Sequence, residues 1–357
     1  MSTRILDAKT MKGLQPAFGL WKRYRPEAAP YRFTARSPQA ARQWQKTVRA
    51  ALGEAIGFQS AGKAPLAPKR IESVDKGTYV REKILIRTSP DTLMPVYMLI
   101  PKRLPRPLPV VIAFHGHGYG VKDIVGLWED GQERHTADGY HRDFGVELCR
   151  NGFAVAAPEI SCFGERQTDF SYLNTRIGQP VPGTCGHTAM LAFHLGGSVL
   201  GLRVMDARRL VDYLVTRKDL DASRLGAMGI SGGGMHTFFS TALDPRIKAC
   251  VVSGYFCMFR ESIFAMNHCP CNFAPGLHRF GEIDDLTGLI APRPMLVEAG
   301  SRDPIFPILG VRRAVAKARK VYEVFGAADA VQTDYFEGRH QISGRRAYDF
   351  LRAQLGA

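Results

Sequence analysis

Apolar and polar positions along most of the chain fall into two alternating rhythms. Residues 110–114 form an unbroken apolar run, as do 153–157, and runs this short predict strands covered on both faces. Further strands are predicted at 225–230, 247–253, 294–298 and 331–336. Helical spacing appears between them, at 143–150, 199–216, 233–242 and 310–325. Two more strands, 79–87 and 94–100, flank a turn at Ser89-Pro90-Asp91. This alternation predicts an α/β fold: a mostly parallel central sheet with helices on both faces. Parallel neighbours need crossover connections, and these spacings supply them.

The first 75 residues read differently. Ser37-Pro38 opens a helix that places Ala41, Trp44, Val48, Leu52 and Ile56 on one face, and Gly57 ends it. Residues 58–70, rich in Ala, Pro, Gly and Lys, read as a linker. The chain thus divides into an N-terminal helical extension and linker, 1–75, and a main α/β domain, 76–357. Residues 161–197 and 256–290 fit the alternation poorly and are expected to form lid-like insertions or binding loops.

Composition adds few constraints. At 45% hydrophobic and 23% charged, the chain can bury a core without disulfides or metals to staple it. The formal net charge is +15, from 48 Lys+Arg against 33 Asp+Glu. The positive residues are scattered. Two dense groups, Lys22, Arg23 and Arg25, then Lys317, Arg319 and Lys320, are not long runs with interleaved aromatics. The expected outcome is a solvated basic surface, not a nucleic-acid site. Seven cysteines, an odd number, argue for reduced thiols rather than a disulfide framework, and Cys269-Pro270-Cys271 is not the C-x-x-C of a zinc knuckle or redox motif. Residues 1–10 lack the apolar core of a leader, and no membrane-length apolar stretch occurs, so a cytoplasmic location without a membrane span is expected. Oligomeric state is open.

The sharpest chemical signal is Gly229-Ile230-Ser231-Gly232-Gly233-Gly234, between a predicted strand and a predicted helix. A serine on so tight a strand-to-helix turn needs small neighbours, and the helix that follows points its N-terminus at the site. The segment lacks the lysine of a phosphate-binding loop. A serine hydroxyl needs a base, and the base needs an orienting acid. Asp303 follows the strand at 294–298, and His340 follows the last strand, so all three sit beyond strand C-termini in the order Ser, Asp, His. Glu298, Asp284 and Asp285 are rival acids. His236 is expected to pack on the next helix, while His268 and His278 fall in the expected lid and are placed to touch substrate. His115-Gly116-His117-Gly118 follows the strand at 110–114. Its backbone N–H groups at His117 and Gly118, with that of Gly232, are the expected oxyanion donors. A metal at His115 and His117 is not expected, because the pair lacks obvious further ligands. Glu159 and the Phe163-Gly164-Glu165-Arg166 segment are expected in the pocket wall or its scaffold.

Taken together, the His115-Gly-His-Gly turn, the Gly229-x-Ser-x-Gly elbow, Asp303 and His340 resemble the α/β-hydrolase superfamily over roughly residues 75–357. The segments Asp221-Ala-Ser-Arg-Leu-Gly-Ala-Met-Gly-Ile-Ser231 and Ala291-Pro-Arg-Pro-Met-Leu-Val resemble its dienelactone hydrolase and acetyl xylan esterase-like branch. The resemblance implies a serine esterase without a cofactor, acting on a small-molecule or acylated-sugar ester. A dienelactone hydrolase carries cysteine at the elbow, and Ser231 here points to an ordinary ester instead. The alternatives are a serine peptidase of the prolyl oligopeptidase type, for which 75 N-terminal residues are too few to build a propeller, and a non-catalytic binding protein on a hydrolase scaffold.

Overall fold

The structure is a computed structural model that describes residues 7–60, 64–168 and 184–356. The strands are β1 (Lys69–Asp75), β2 (Tyr79–Ser89), β3 (Thr92–Pro101), β4 (Leu108–Phe114), β5 (Ala154–Pro158), β6 (Leu220–Ile230), β7 (Ala249–Ser253), β8 (Met295–Gly300) and β9 (Val331–Phe336). They form one sheet in the order β1-β2-β3-β5-β4-β6-β7-β8-β9. The pairs β1–β2, β2–β3 and β3–β5 are antiparallel, and every later pair is parallel. The helices are α1 (Ala8–Gly13), α2 (Pro16–Arg23), α3 (Pro38–Ile56), α4 (Phe144–Arg150), α5 (Thr184–His194), α6 (Val199–Leu214), α7 (Gly232–Leu243), α8 (Ile283–Leu286), α9 (Ile308–Glu323) and α10 (Ala347–Leu355). This is the α/β architecture expected from the sequence.

Alternation along the central strands sorts the core into two faces. On β7, Cys250 and Val252 join a cluster with α3, α6, α7 and α9, while Ala249 and Val251 pack with α4 and α10 on the opposite face. On β4 the same parity holds, with Val110, Ile112 and Phe114 on one side and Val111 and Ala113 on the other. Residues two apart point the same way, so a strand buried on both faces must be apolar throughout.

Helix α3 starts at the expected Ser37, whose Oγ accepts from the Ala40 N–H at 3.3 Å. It ends at Gly57, with φ +79°, a conformation open to glycine at little cost. Its Val48, Leu52 and Ile56 lie inside the main core cluster. Gln45 donates to the carbonyls of Gly288 and Ala291 at 2.7 and 2.6 Å. The expected linker is shorter than the sequence suggested. Lys69–Asp75 is a strand hydrogen-bonded to β2, so the division at 75/76 falls within an antiparallel pair. Its exposed, charged alternation suits a sheet edge, which the apolar-run signal does not detect. Of the two expected insertions, 161–197 contains α5, and its residues 169–183 lie outside the described ones. The other, 256–290, is a chain of short helical turns that buries Phe256, Met258, Phe259, Phe280 and Ile283 in the core.

Candidate active site

Ser231 stands where β6 turns into α7, with φ +58° and ψ −122°. A non-glycine residue rarely adopts this conformation, and such strain persists only where the surroundings enforce it. The close approach explains the glycines: a Cβ on Gly233 would fall 2.0 Å from the Phe114 carbonyl oxygen, and one on Gly229 would fall 2.4 Å from that of Gly233. The Gly232 N–H opens α7 and has no partner within the helix.

Asp303 and His340 meet as a pair. His340 Nδ1 lies 2.7 Å from Asp303 Oδ2, and Asp303 Oδ1 accepts from the Ile305 and Phe306 N–H groups at 2.8 and 3.1 Å. A carboxylate held this way fixes the tautomer with a proton on Nδ1 and leaves Nε2 as an acceptor. Nε2 is buried and has no hydrogen-bond partner among the described residues. The imidazole lies between the rings of Phe306 and Tyr140, at centroid distances of 5.7 and 5.4 Å. Ser231, Gly232, His117 and His340 line one cavity of about 310 Å³, together with Tyr140, Met266, Asn267, His268, Asn272 and Phe306. A larger cavity of 510 Å³, against Asp284, Asp285 and Lys317, contains none of Ser231, Asp303 or His340.

The rival acids have other work. Glu298 is wholly buried and accepts from Ser253 Oγ, Ser343 N and Gly344 N at 2.8, 2.8 and 2.9 Å. Burial raises its pKa, and these donors oppose the rise. It ties β8 to the chain just past His340. Asp285 accepts from the Glu282 and Phe33 N–H groups at 3.1 and 3.0 Å, and burial raises Asp284 to about 7. His236 is buried, packs on Phe114 and donates from Nε2 to the Arg203 carbonyl at 2.6 Å. Burial drives its pKa well down. His278 is exposed and lies outside the Ser231 cavity, whereas His268 lines it.

The loop after β4 rests on a buried network that the sequence did not reveal. His141 Nδ1 lies 2.7 Å from Asp123 Oδ2, and its Nε2 accepts from the Gly116 N–H at 2.7 Å. Arg134 bridges Asp123 and Asp143. Burial lowers the His141 pKa against the pull of Asp123, so the ring is neutral and able to accept. Tyr140 Oη donates to the His117 carbonyl at 2.5 Å, and the Tyr140 carbonyl accepts from the Ile342 N–H at 2.8 Å. Residues 138–143 therefore link the loop at 115–118 to the one carrying His340. The Gly116 N–H is taken by His141, which leaves His117 and Gly118 as the loop's remaining donors. His117 lines the cavity, while Gly118 is exposed and does not. Glu159 closes the loop's far side, accepting from the Val121 N–H at 2.9 Å and lying 3.1 Å from His115 Nε2, in the scaffold role open to it from the sequence.

The sequence offers His117 no further ligand-type neighbours along the chain, and folding brings Cys185, Cys269 and Cys271 to it, with all four donor atoms within 4.8 Å of one another. The segments meet only in three dimensions, so no spacing rule could detect the group.

The chain matches the Abhydrolase family over residues 17–356. Among its relatives is YtaP of Bacillus subtilis (strain 168), named as a candidate hydrolase. It is 26% identical over 274 residues, which cover 74% of this chain and 84% of YtaP. Similar solved structures include a candidate acetyl xylan esterase from Bacteroides fragilis NCTC 9343, with TM-score 0.75 and 20% identity, covering 90% of this chain and 82% of that one. A glucuronoyl esterase from Solibacter usitatus aligns with TM-score 0.64 and 18% identity, covering 92% and 99%. At these identities the two structures speak to the fold alone. With the family match running nearly end to end and the same fold in both structures, the chain belongs to the Abhydrolase family and is a hydrolase built on the α/β-hydrolase fold.

Proposed function

We propose that the protein is a serine carboxylic-ester hydrolase that works through an acyl-enzyme on short-chain esters, acetyl esters among them. The observation that carries this reading is the Asp303–His340 pair, whose second imidazole nitrogen has no partner among the described residues and whose ring shares one cavity with the strained Ser231. In the proposed reaction His340 Nε2 takes the Ser231 proton as Oγ attacks the ester carbonyl. The Gly232 and His117 N–H groups bind the oxyanion, and each such donor is worth about 3 kcal/mol in the transition state. His340 then hands its proton to the departing alcohol. Water enters, gives a proton to the same nitrogen, and releases the acid. Asp303 holds the ring and stabilises the imidazolium without taking its proton.

The cavity's size favours a short acyl group. Asn267, His268 and Asn272 on its wall offer hydrogen-bonding groups suited to a sugar alcohol. The test is a panel of p-nitrophenyl esters and acetylated sugars, run on wild type and Ser231→Ala. Short acyl chains should be turned over fastest. Ser231→Ala should lose roughly 10⁴- to 10⁶-fold in kcat with an unchanged circular dichroism spectrum. Wild-type turnover by that variant would exclude Ser231 as nucleophile, and faster cleavage of peptide amides than of esters would exclude the esterase reading.

A further inference from the structure

Ester hydrolysis as proposed makes no use of a cysteine, yet three thiols and an imidazole converge beside the Ser231 cavity. His117 comes from the loop after β4, Cys185 from the first turn of α5, and Cys269 and Cys271 flank Pro270 in the 266–273 segment. Cys271 Sγ lies 3.8 Å from His117 Nε2. A tetrahedral ion with bonds of about 2.3 Å to sulfur and about 2.0 Å to nitrogen spaces its donors by roughly 3.5–3.8 Å, so the set is already close to the required shell. All seven cysteines of the chain are free thiols.

A second, independent observation is the charge beneath the cluster. Arg203 on α6 is 1% exposed, and its Nη2 lies 3.1 Å from the Ser161 carbonyl oxygen and 3.7 Å from Cys185 Sγ. Among the described residues no carboxylate lies within ion-pair distance of it. A guanidinium buried without a counter-ion is costly. A divalent ion held by three thiolates and a neutral imidazole carries a net charge of −1, which balances Arg203.

We propose that His117, Cys185, Cys269 and Cys271 form a closed tetrahedral site for a thiophilic divalent metal, zinc above all, which fastens three chain segments together beside the nucleophile. Three thiolates and one imidazole are the donor set of structural zinc. With four protein ligands no position is left for substrate, so the ion is structural and is not a Lewis acid for the ester. Each protonated thiol releases its proton to solvent as the ion binds. Arg203 Nη2, 3.7 Å from Cys185 Sγ, places a positive charge beside that anionic shell. Asn272 Nδ2, 3.9 Å from Cys271 Sγ, supplies an amide donor toward the sulfur. Ligation through Nε2 fixes the His117 proton on Nδ1, the nitrogen that faces Gly232.

The test is the metal content of the full chain. Wild type purified under reducing conditions, loaded with zinc and passed through gel filtration should retain one zinc per chain by elemental mass spectrometry. Cobalt(II) in its place should give a thiolate charge-transfer band and intense tetrahedral d–d bands. Cys185→Ser and Cys271→Ser should lower zinc retention at least tenfold, while Cys149→Ser, on α4 at the other face of the sheet, should retain it. Because a ligand variant can fail to fold, the cobalt spectrum of wild type stands as the second readout. Ser231→Ala should bind zinc as wild type does, which separates this inference from the esterase reading. Reduced wild type that holds no zinc and shows no cobalt–thiolate band would overturn it. So would a disulfide among Cys185, Cys269 and Cys271 in the purified protein, with no metal uptake after reduction.

Discussion

At the residue scale, the site depends on side chains whose alternatives have been removed. Asp303 Oδ1 accepts two backbone N–H groups and Oδ2 faces His340, so the carboxylate has one orientation and the imidazole one tautomer. Asp303→Asn would keep the shape but present an amide whose N–H can turn the ring to the wrong tautomer. The expected result is a loss of about 10⁴-fold in kcat with little change in thermal stability, measured by steady-state ester hydrolysis. The meeting of Asp303 with His340 beside the Ser231 cavity could be anticipated from the sequence because each of the three residues follows a strand end and is marked by local small residues. Tyr140, His141 and Asp123 could not. They carry no short motif, and their meaning lies in one hydrogen bond to the Gly116 N–H, formed only after folding. His117 with its three cysteines was hidden for the same reason.

At the element scale, Glu298 and α3 set how the site is held. Glu298 joins β8 to the segment after His340 through the Ser343 and Gly344 N–H groups and to β7 through Ser253 Oγ, so Glu298→Gln would set an amide N–H against at least one backbone donor. Denaturant unfolding should show a loss of about 1–3 kcal/mol. The kcat should fall more than KM rises, because the His340 loop loosens while the cavity walls remain; a normal kcat would leave Glu298 a purely structural role. Helix α3 packs within the main core. The sequence predicted its face and both caps correctly, because a 19-residue amphipathic helix carries a strong periodic signal. Its place in the main core was not legible, since periodicity tells which face is apolar but not what covers it. Leu52→Ala should cost about 2–5 kcal/mol, as a core position would and a surface helix would not. The edge strand β1 was missed because its residues are charged and exposed, and α10 because it follows the last recognised strand.

At the scale of the whole molecule, the basic excess is partly internal. Arg293 donates to the carbonyls of Thr241, Asp244, Ile247, Leu289 and Ile290, and Arg49 to those of Ala242 and Leu289. These arginines tie loops to the core, so composition alone overstates the surface charge. Among the described residues no single helix is long and apolar enough to cross a membrane. Burial lowers the pKa of both His141 and His236. Below about pH 6.5 the unfolded chain therefore takes up protons that the folded chain does not, and each histidine removes up to about 1.4 kcal/mol of stability per pH unit. This contribution is complete above that pH and is lost as the pH falls. Asp284, raised to about 7, acts in the opposite sense over the same range, so the histidine contribution is read as a difference: between pH 7 and pH 5 the urea midpoint of wild type should fall relative to that of His236→Leu.

The central claim is that Ser231 is the group that becomes acylated. Its most direct test is to react the native protein with a fluorophosphonate and locate the adduct by peptide mass spectrometry. The account predicts one adduct per chain, on Ser231, formed far more slowly in His340→Ala. A native protein that takes no label, or takes it on another residue while Ser231 stays unmodified, would contradict it.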